Sequence, residues 1–147
     1  IICCYGDPNF SDKQFLLKIK DIFKELEIIP GISSVQIACS KAGIAMEDSL
    51  FITFHKSGDI EIEKEELLKN LGYRHLIILP RPWDFMPKDI AKFLIEKAED
   101  LEVLVYENLT LEGEREYRGK LKGLLNQEFK DMCIMIVMRR DSWKSQG

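Results

Sequence analysis

Tyr5-Gly6-Asp7-Pro8-Asn9-Phe10 and Ile29-Pro30-Gly31-Ile32-Ser33-Ser34-Val35-Gln36 each follow a short apolar, strand-like run and each open an amphipathic, helix-like run. A Gly/Pro turn at a strand-to-helix junction leaves backbone N–H groups free and lets the backbone approach a ligand closely. Two such turns, about one strand–helix–strand unit apart, can form the two lips of a crevice at the carboxyl ends of an open sheet. Each also has a plain structural reading. Gly-Asp-Pro is a good turn anywhere, and Pro-Gly followed by Ser is an ordinary helix cap. Neither stretch is a Gly-x-Gly-x-x-Gly fingerprint or a Walker loop, so nicotinamide and nucleoside-triphosphate sites lack their signature.

Around these turns strand and helix patterns alternate, which predicts an α/β fold rather than segregated α+β. Ile1 to Tyr5 reads as the end of a buried strand that starts without a cap, from which a natural start upstream is expected. Ser11 to Leu26 is predicted helical, with capping-box spacing at Ser11 and Gln14 and an apolar stripe of Phe15, Ile19, Ile22, Phe23 and Leu26. Glu27 to Ile29 is a short strand. The next helix starts at Ser33 or Ser34 and runs to about Ala42, with Val35, Ile37, Ala38 and Ala42 inward. Beyond a joint at Gly43–Asp48, strands are predicted at Leu50–Phe54, His75–Leu79, Glu102–Tyr106 and Cys133–Met138. Helices are predicted at Glu63–Leu71, from Pro87 to about Glu99, and at Glu114–Leu125, with a polar, fraying end at Asp141–Gly147. A boundary near residue 46 divides the chain into residues 1–46, the remainder of an N-terminal α/β domain, and residues 47–147, a nearly whole C-terminal α/β domain.

With 147 residues, 46% hydrophobic and 31% charged, the chain can build one good core or two small ones. A net charge of -4 gives no global basic field for nucleic acid, although a few arginines suffice for an anionic small ligand. Arg115, Arg118, Arg139 and Arg140 are available for that, or are solvated surface charges. No uncharged apolar run reaches the roughly 18 residues of a membrane span. Cys3, Cys4, Cys39 and Cys133 show no Cys-x-x-Cys or Cys/His ligand spacing. They read as buried, reduced thiols of a cytoplasmic protein, not as metal ligands.

The two turns resemble the Gly-Asp-Pro and Pro-Gly-Ile-Ser-Ser motifs of the tetrapyrrole (corrin-pathway) methylases that use S-adenosylmethionine. The match continues in order along the chain. Met46-Glu47-Asp48 resembles the inter-domain segment, and Phe54-His55 a strand end of the C-5 branch. Leu79–Leu94 resembles the stretch in which Pro87 and Ile90-Ala91 recur. Tyr106-Glu107-Asn108-Leu109, followed by Gly113-Glu114-Arg115, resembles the segment that selects the branch methylating C-5 of a cobalt-precorrin. Two places depart from the pattern. Lys56-Ser57 follows His55 where Gly-Arg is usual, and Pro82-Trp83 stands where Thr-Asp is common.

The resemblance implies a two-domain tetrapyrrole methylase fold with mixed sheets, the first domain incomplete here. It implies that Gly6, Asp7 and Pro8 line S-adenosylmethionine largely through backbone groups. Ile32, Ser33 and Ser34 would flank its ribose and methionine parts, and Asn108 and Leu109 would lie near the adenine. His55 and Arg81 would stand at the rim near a tetrapyrrole substrate, a cobalt-precorrin. His55 and His75 also read as structural strand-edge residues, and Trp83 either stacks on a flat macrocycle or covers the core. The product would be S-adenosylhomocysteine. A homodimer is implied, with C-15 methylation and decarboxylation left to a separate partner enzyme.

Methyl transfer from a sulfonium to an electron-rich carbon needs no covalent enzyme intermediate, and no Ser/His/Asp or Cys/His set is visible. The catalytic residue is therefore unassigned. Orientation of donor and acceptor supplies the rate, up to roughly 7–11 kcal/mol. Three rival readings stay open. One is another superfamily transferase acting on a different ring carbon or on a protein, such as a diphthine synthase. The second is a non-catalytic cofactor-binding subunit. The third, a Rossmann-like hydrolase, has no nucleophile motif behind it.

Overall fold

The computed structural model describes residues 1–140, Ser11 without its side chain. The predicted fraying of Asp141–Gly147 and the Ser11 half of the predicted capping box lie outside the described residues. Five strands, β1 (Ser49–Thr53), β2 (His75–Leu79), β3 (Glu102–Glu107), β4 (Arg115–Lys120) and β5 (Cys133–Val137), form one mixed sheet in the order β1-β2-β5-β3-β4. β1 and β2 are parallel, while β5 runs antiparallel to both β2 and β3. β1, β2 and β3 therefore point the same way, and their carboxyl ends share one edge with the start of β5.

The pleat sends alternate side chains to opposite faces, and both faces are covered. On one face α4 (Glu61–Asn70) and α5 (Pro87–Ala98) bring Leu67, Ile90 and Leu94 against Leu76, Ile78, Val103, Val105, Met135 and Val137. On the other, α3 (Ser34–Ala42) buries Val35, Ala38, Cys39 and Ala42 against Ile77, Leu104, Tyr106, Ile134 and Ile136. Strands enclosed in this way favour near-continuous apolar residues, which is why Leu76–Leu79 of β2 and the whole of β5 read as unbroken apolar runs. α3 thus packs on the sheet that follows it in sequence. The chain reaches β1 from α3 through a single 3₁₀ turn at Met46–Asp48.

Several predicted elements differ. Glu114–Leu125 is not a helix. It forms β4, paired along its whole length with β3, and then a 3₁₀ stretch at Leu121–Asn126. Gly119 and Gly123 weaken a helix there, and an added Cβ at either would run into the Tyr117 hydroxyl. The free edge of β3 captures the segment instead.

Ile1–Tyr5 and Glu27–Ile29 are not strands, because no neighbouring strand among the described residues pairs with them. The predicted Ser11–Leu26 helix splits into α1 (Pro8–Ser11) and α2 (Lys13–Ile22), with Asp12 between them. Only Ile19 of the expected stripe is buried. Phe15, Phe23 and Leu26 line an apolar groove with Ile2, Ile28 and Ile29. The cysteines divide: Cys39 and Cys133 are buried as expected, whereas Cys3 and Cys4 are exposed because their segment has no sheet to enter. Phe10 is the anchor of this region. Its ring meets Phe51 of β1 edge-to-face at 5.7 Å and ties α1 to the sheet.

Candidate functional site

The two glycine turns touch. Gly6 adopts φ +65, a conformation that glycine tolerates without strain. Asp7 caps α1, its carboxylate accepting the Asn9 backbone N–H at 2.9 Å and the Asn9 side-chain amide at 2.9 Å. Pro8 occupies the first helical position, where its missing N–H costs nothing. A Cβ on Gly31 would overlap the Gly6 carbonyl oxygen, and one on Gly6 would lie 3.5 Å from Ser33 Cα and 3.6 Å from the Ile32 carbonyl oxygen. Gly6, Ile32 and Ser33 are thus neighbours in space, and glycine at position 31 is what permits the approach.

Ser33 and Ser34 divide their work. Ser33 is 4% exposed; its hydroxyl accepts the Val35 N–H at 3.0 Å, and Gln36 Oε1 accepts the Ser33 N–H at 2.7 Å. That is a complete capping box, and it fixes the start of α3. Ser34, one residue on, is exposed and lines a crevice.

The crevice lies where the topology puts it, at the shared edge of the sheet. His55 enters from beyond β1, Leu79, Pro80 and Pro82 from the end of β2, Leu109 from beyond β3, and Asp131, Met132, Cys133 and Ile134 from the start of β5. Glu107, the last residue of β3, stands opposite the crevice residue Cys133 in the sheet. This carboxylate is 6% exposed, accepts the Lys130 N–H at 2.7 Å and pairs with Arg115 at 3.4 Å, holding the approach to β5 against the end of β3. The Asn108 N–H donates to the Met132 carbonyl at 2.8 Å and continues the tie. The Asn108 side chain folds back towards Gly113, leaving Leu109 as the residue of that pair on the crevice wall.

Arg81 sits differently from the other predicted residues. It is 9% exposed, its guanidinium clasping Asp84 at 2.5 and 2.9 Å and donating to the Gly58 carbonyl at 2.9 Å. It braces the Pro80–Phe85 loop and carries Trp83, whose ring lies 5.7 Å from the guanidinium. Trp83 is 61% exposed and approaches the His55 ring at 6.1 Å, so the two form an aromatic rim. Arg139 and Arg140 belong to the opposite end of the sheet, paired with Asp48 and Asp100. Arg115 stacks over Phe129 at 4.5 Å.

Burial pushes the Cys133 thiol up to about 12, with Glu107 and Asp131 adding to the effect, so this crevice-wall sulfur stays protonated and is not a nucleophile. Among the described residues no three His, Cys, Asp or Glu side chains converge as a metal site. An apolar wall from several strand ends, a free serine hydroxyl at a helix start and a carboxylate suit a flat, polar-edged small molecule.

The sequence model of the tetrapyrrole (corrin/porphyrin) methylases matches residues 1–125. The chain belongs to this family. Among curated methylases it is 37% identical over 134 residues to the Methanocaldococcus jannaschii protein named "Probable cobalt-precorrin-7 C(5)-methyltransferase", covering 89% of this chain and 61% of that one. The crystal structure of cobalamin biosynthesis precorrin-6Y methylase from Archaeoglobus fulgidus superimposes with a TM-score of 0.63 at 27% identity, over 91% of this chain and 59% of the other. The fold is shared at TM-score 0.61 and 15% identity with uroporphyrin-III C-methyl transferase from Thermus thermophilus, which was solved with S-adenyl homocysteine; there 90% of this chain and 62% of the other are covered. The chain therefore spans about three fifths of the length of these relatives.

Within this methylase chain, Ser34, His55 and Leu109 meet in the crevice. Gly6, Asp7, Pro8, Ile32 and Ser33 build the paired turns that support the start of α3. The Asp131–Ile134 wall escapes a reading of the sequence, because it needs the strand order: β5 must run between β2 and β3, antiparallel to both, for its first residues to reach the carboxyl ends of its neighbours.

Proposed function

We propose that this methylase chain contributes to an S-adenosylmethionine-dependent methyltransferase of corrin synthesis that methylates C-5 of a cobalt-precorrin. The observation that carries the reading is the convergence of Ser34, His55 and Leu109 at the carboxyl edge of the sheet, beside the paired glycine turns. The names borne by the relatives above support the choice of reaction. The crevice chemistry fits the cofactor: Leu79, Leu109 and Ile134 offer apolar surface to an adenine ring, and the Ser34 hydroxyl and Asp131 carboxylate offer partners to ribose hydroxyls.

When bound, S-adenosylmethionine supplies a methyl group already activated on sulfur. The chain's own residues do the rest. The turn pair fixes the start of α3 so that Ser34 presents its hydroxyl in one position. Leu79, Pro80 and Leu109 keep water from the crevice wall. Trp83 and His55, their rings tilted at 49° to each other, offer an aromatic rim for a macrocycle. His55 presents an exposed imidazole beside Trp83 at that rim. The same reading carries a cytoplasmic homodimer, a separate enzyme for C-15, and a chain joint near residue 46. α3, on the near side of that joint, packs on the sheet that follows it.

Calorimetric titration of the full-length protein with S-adenosylhomocysteine tests the proposal. We expect one site per chain, with affinity lowered about tenfold by Ser34→Ala, the loss of one hydrogen bond to the ligand. A folded wild-type protein that takes up no S-adenosylhomocysteine would remove the methyltransferase reading and leave a scaffolding subunit in its place.

A further inference from the structure

The loop between β3 and β4 is bent through an unusual backbone. Asn108 stands at φ 51, Thr110 at φ 67 and Gly113 at φ 77. Asparagine and glycine adopt such values readily, but a β-branched threonine does so only when its surroundings hold it there. Here one side chain does the holding. Glu114 Oε2 accepts the Thr110 N–H at 2.7 Å, and its other oxygen pairs with the Lys41 ammonium on the last turn of α3. The Glu114 N–H donates to the Leu111 carbonyl at 3.2 Å and the Leu111 N–H to the Asn108 carbonyl at 2.8 Å, closing the turn on itself. Lys41 reaches across Tyr106 of β3, its ammonium 6.0 Å from the ring centre.

This carboxylate therefore joins two parts of the crevice that are remote in sequence. α3 brings Ser34 to the crevice with its first turn and holds Glu114 with its last, while the loop held by Glu114 brings Leu109 to the crevice. Resting on the cofactor reading above, we propose that Glu114 and Lys41 are positioning residues that latch the Asn108–Glu114 loop to α3 and so preset the Leu109 side of the cofactor crevice. A loop ordered before the ligand arrives binds it more tightly than one that must be ordered on binding. Hydrogen bonding by Lys41, and then by the Thr110 amide, holds the Glu114 carboxyl below its ordinary range, so the latch is charged at neutral pH. The ion pair lies at the surface, where such pairs add little to global stability, so its effect is local.

The test combines calorimetry with S-adenosylhomocysteine and amide hydrogen exchange without ligand, on wild type and on Glu114→Ala, Glu114→Gln, Lys41→Met and Lys41→Arg. Glu114→Ala should weaken binding about tenfold and speed exchange at Thr110 by at least as much, corresponding to loss of one charge-assisted hydrogen bond. Glu114→Gln keeps a neutral acceptor for Thr110 and should fall between it and wild type. Lys41→Arg should restore most of what Lys41→Met loses, and Lys41→Met combined with Glu114→Ala should be no worse than Glu114→Ala alone. Melting temperatures should stay together across the set. If wild type binds and Glu114→Ala binds equally well with Thr110 equally protected, the latch is overturned and the cofactor reading stands. A folded wild type that binds no S-adenosylhomocysteine overturns the cofactor reading, and the positioning role with it.

Discussion

Gly31 faces Gly6 backbone to backbone: a methyl group added at Gly31 would overlap the Gly6 carbonyl oxygen and stand 3.1 Å from its carbonyl carbon. The obstacle is main chain on both sides, so no side chain can swing aside to relieve it. Gly31→Ala should push the turns apart and destabilise the protein by about 1–3 kcal/mol. It should also displace the start of α3 and weaken S-adenosylhomocysteine binding more than Ser34→Ala does. Urea unfolding and calorimetry on the same samples check both. Unchanged stability would mean that the turns do not touch.

Ser33 and Ser34, adjacent and chemically identical, should give opposite phenotypes. The Ser33 hydroxyl is committed to the Val35 N–H, so Ser33→Ala should cost about 1 kcal/mol of stability, the usual value of an N-cap. Ser34→Ala removes no internal bond and should leave the melting temperature unchanged while lowering ligand affinity. A thermal shift for Ser34→Ala as large as that for Ser33→Ala would contradict this division.

The contrast shows what a sequence carries and what it does not. The Pro-Gly-Ile-Ser-Ser stretch names the helix start and its cap, and β2 was legible to the residue because the apolar run Leu76–Leu79, entered from His75, lies between Arg74 and Pro80. Which of two serines faces a ligand depends on one helical step, about 100° of rotation, which no spacing rule resolves before the helix is docked. Arg81 looked available, but Asp84, three residues on, folds back and takes it. β4 was unreadable for a different reason. Arg115–Lys120 has little apolar character of its own and becomes a strand only because β3 offers an open edge.

Tyr106 is buried in the α3 face of the sheet, and its hydroxyl finds no hydrogen-bond partner among the described residues. Burial, then the charge of Glu116, pushes its phenol up to about 12, so it stays neutral across the accessible pH range. A buried hydroxyl without a partner forfeits its hydration, so Tyr106→Phe should stabilise the protein by about 1 kcal/mol. Chemical denaturation decides it, and a loss of stability would show that the hydroxyl has a partner in solution.

His75 should make the protein less stable in mild acid. It is 4% exposed at the start of β2, and its Nδ1 accepts the Arg139 N–H at 3.4 Å, a role open only to the unprotonated nitrogen. Burial holds its pKa below the ordinary histidine value, the Arg139 charge lowers it further, and Asp48 opposes both. The folded state thus resists a proton that the unfolded chain accepts. Above about pH 6.5 both states are neutral and the residue imposes no pH dependence. As pH falls below that value the unfolded state takes up the proton first, and stability declines until the folded-state pKa is passed. One such group sets a slope of at most about 1.4 kcal/mol per pH unit. The carboxylates of Glu114 and Glu128, held below their ordinary range by Lys41 and Lys88, are lost only in more acidic solution and do not confuse this window. Urea unfolding at pH 7.5 and pH 5.5 should therefore show a drop in wild type that is smaller in His75→Asn, which keeps an acceptor but cannot titrate. An equal drop in both proteins would assign the acid sensitivity to another group.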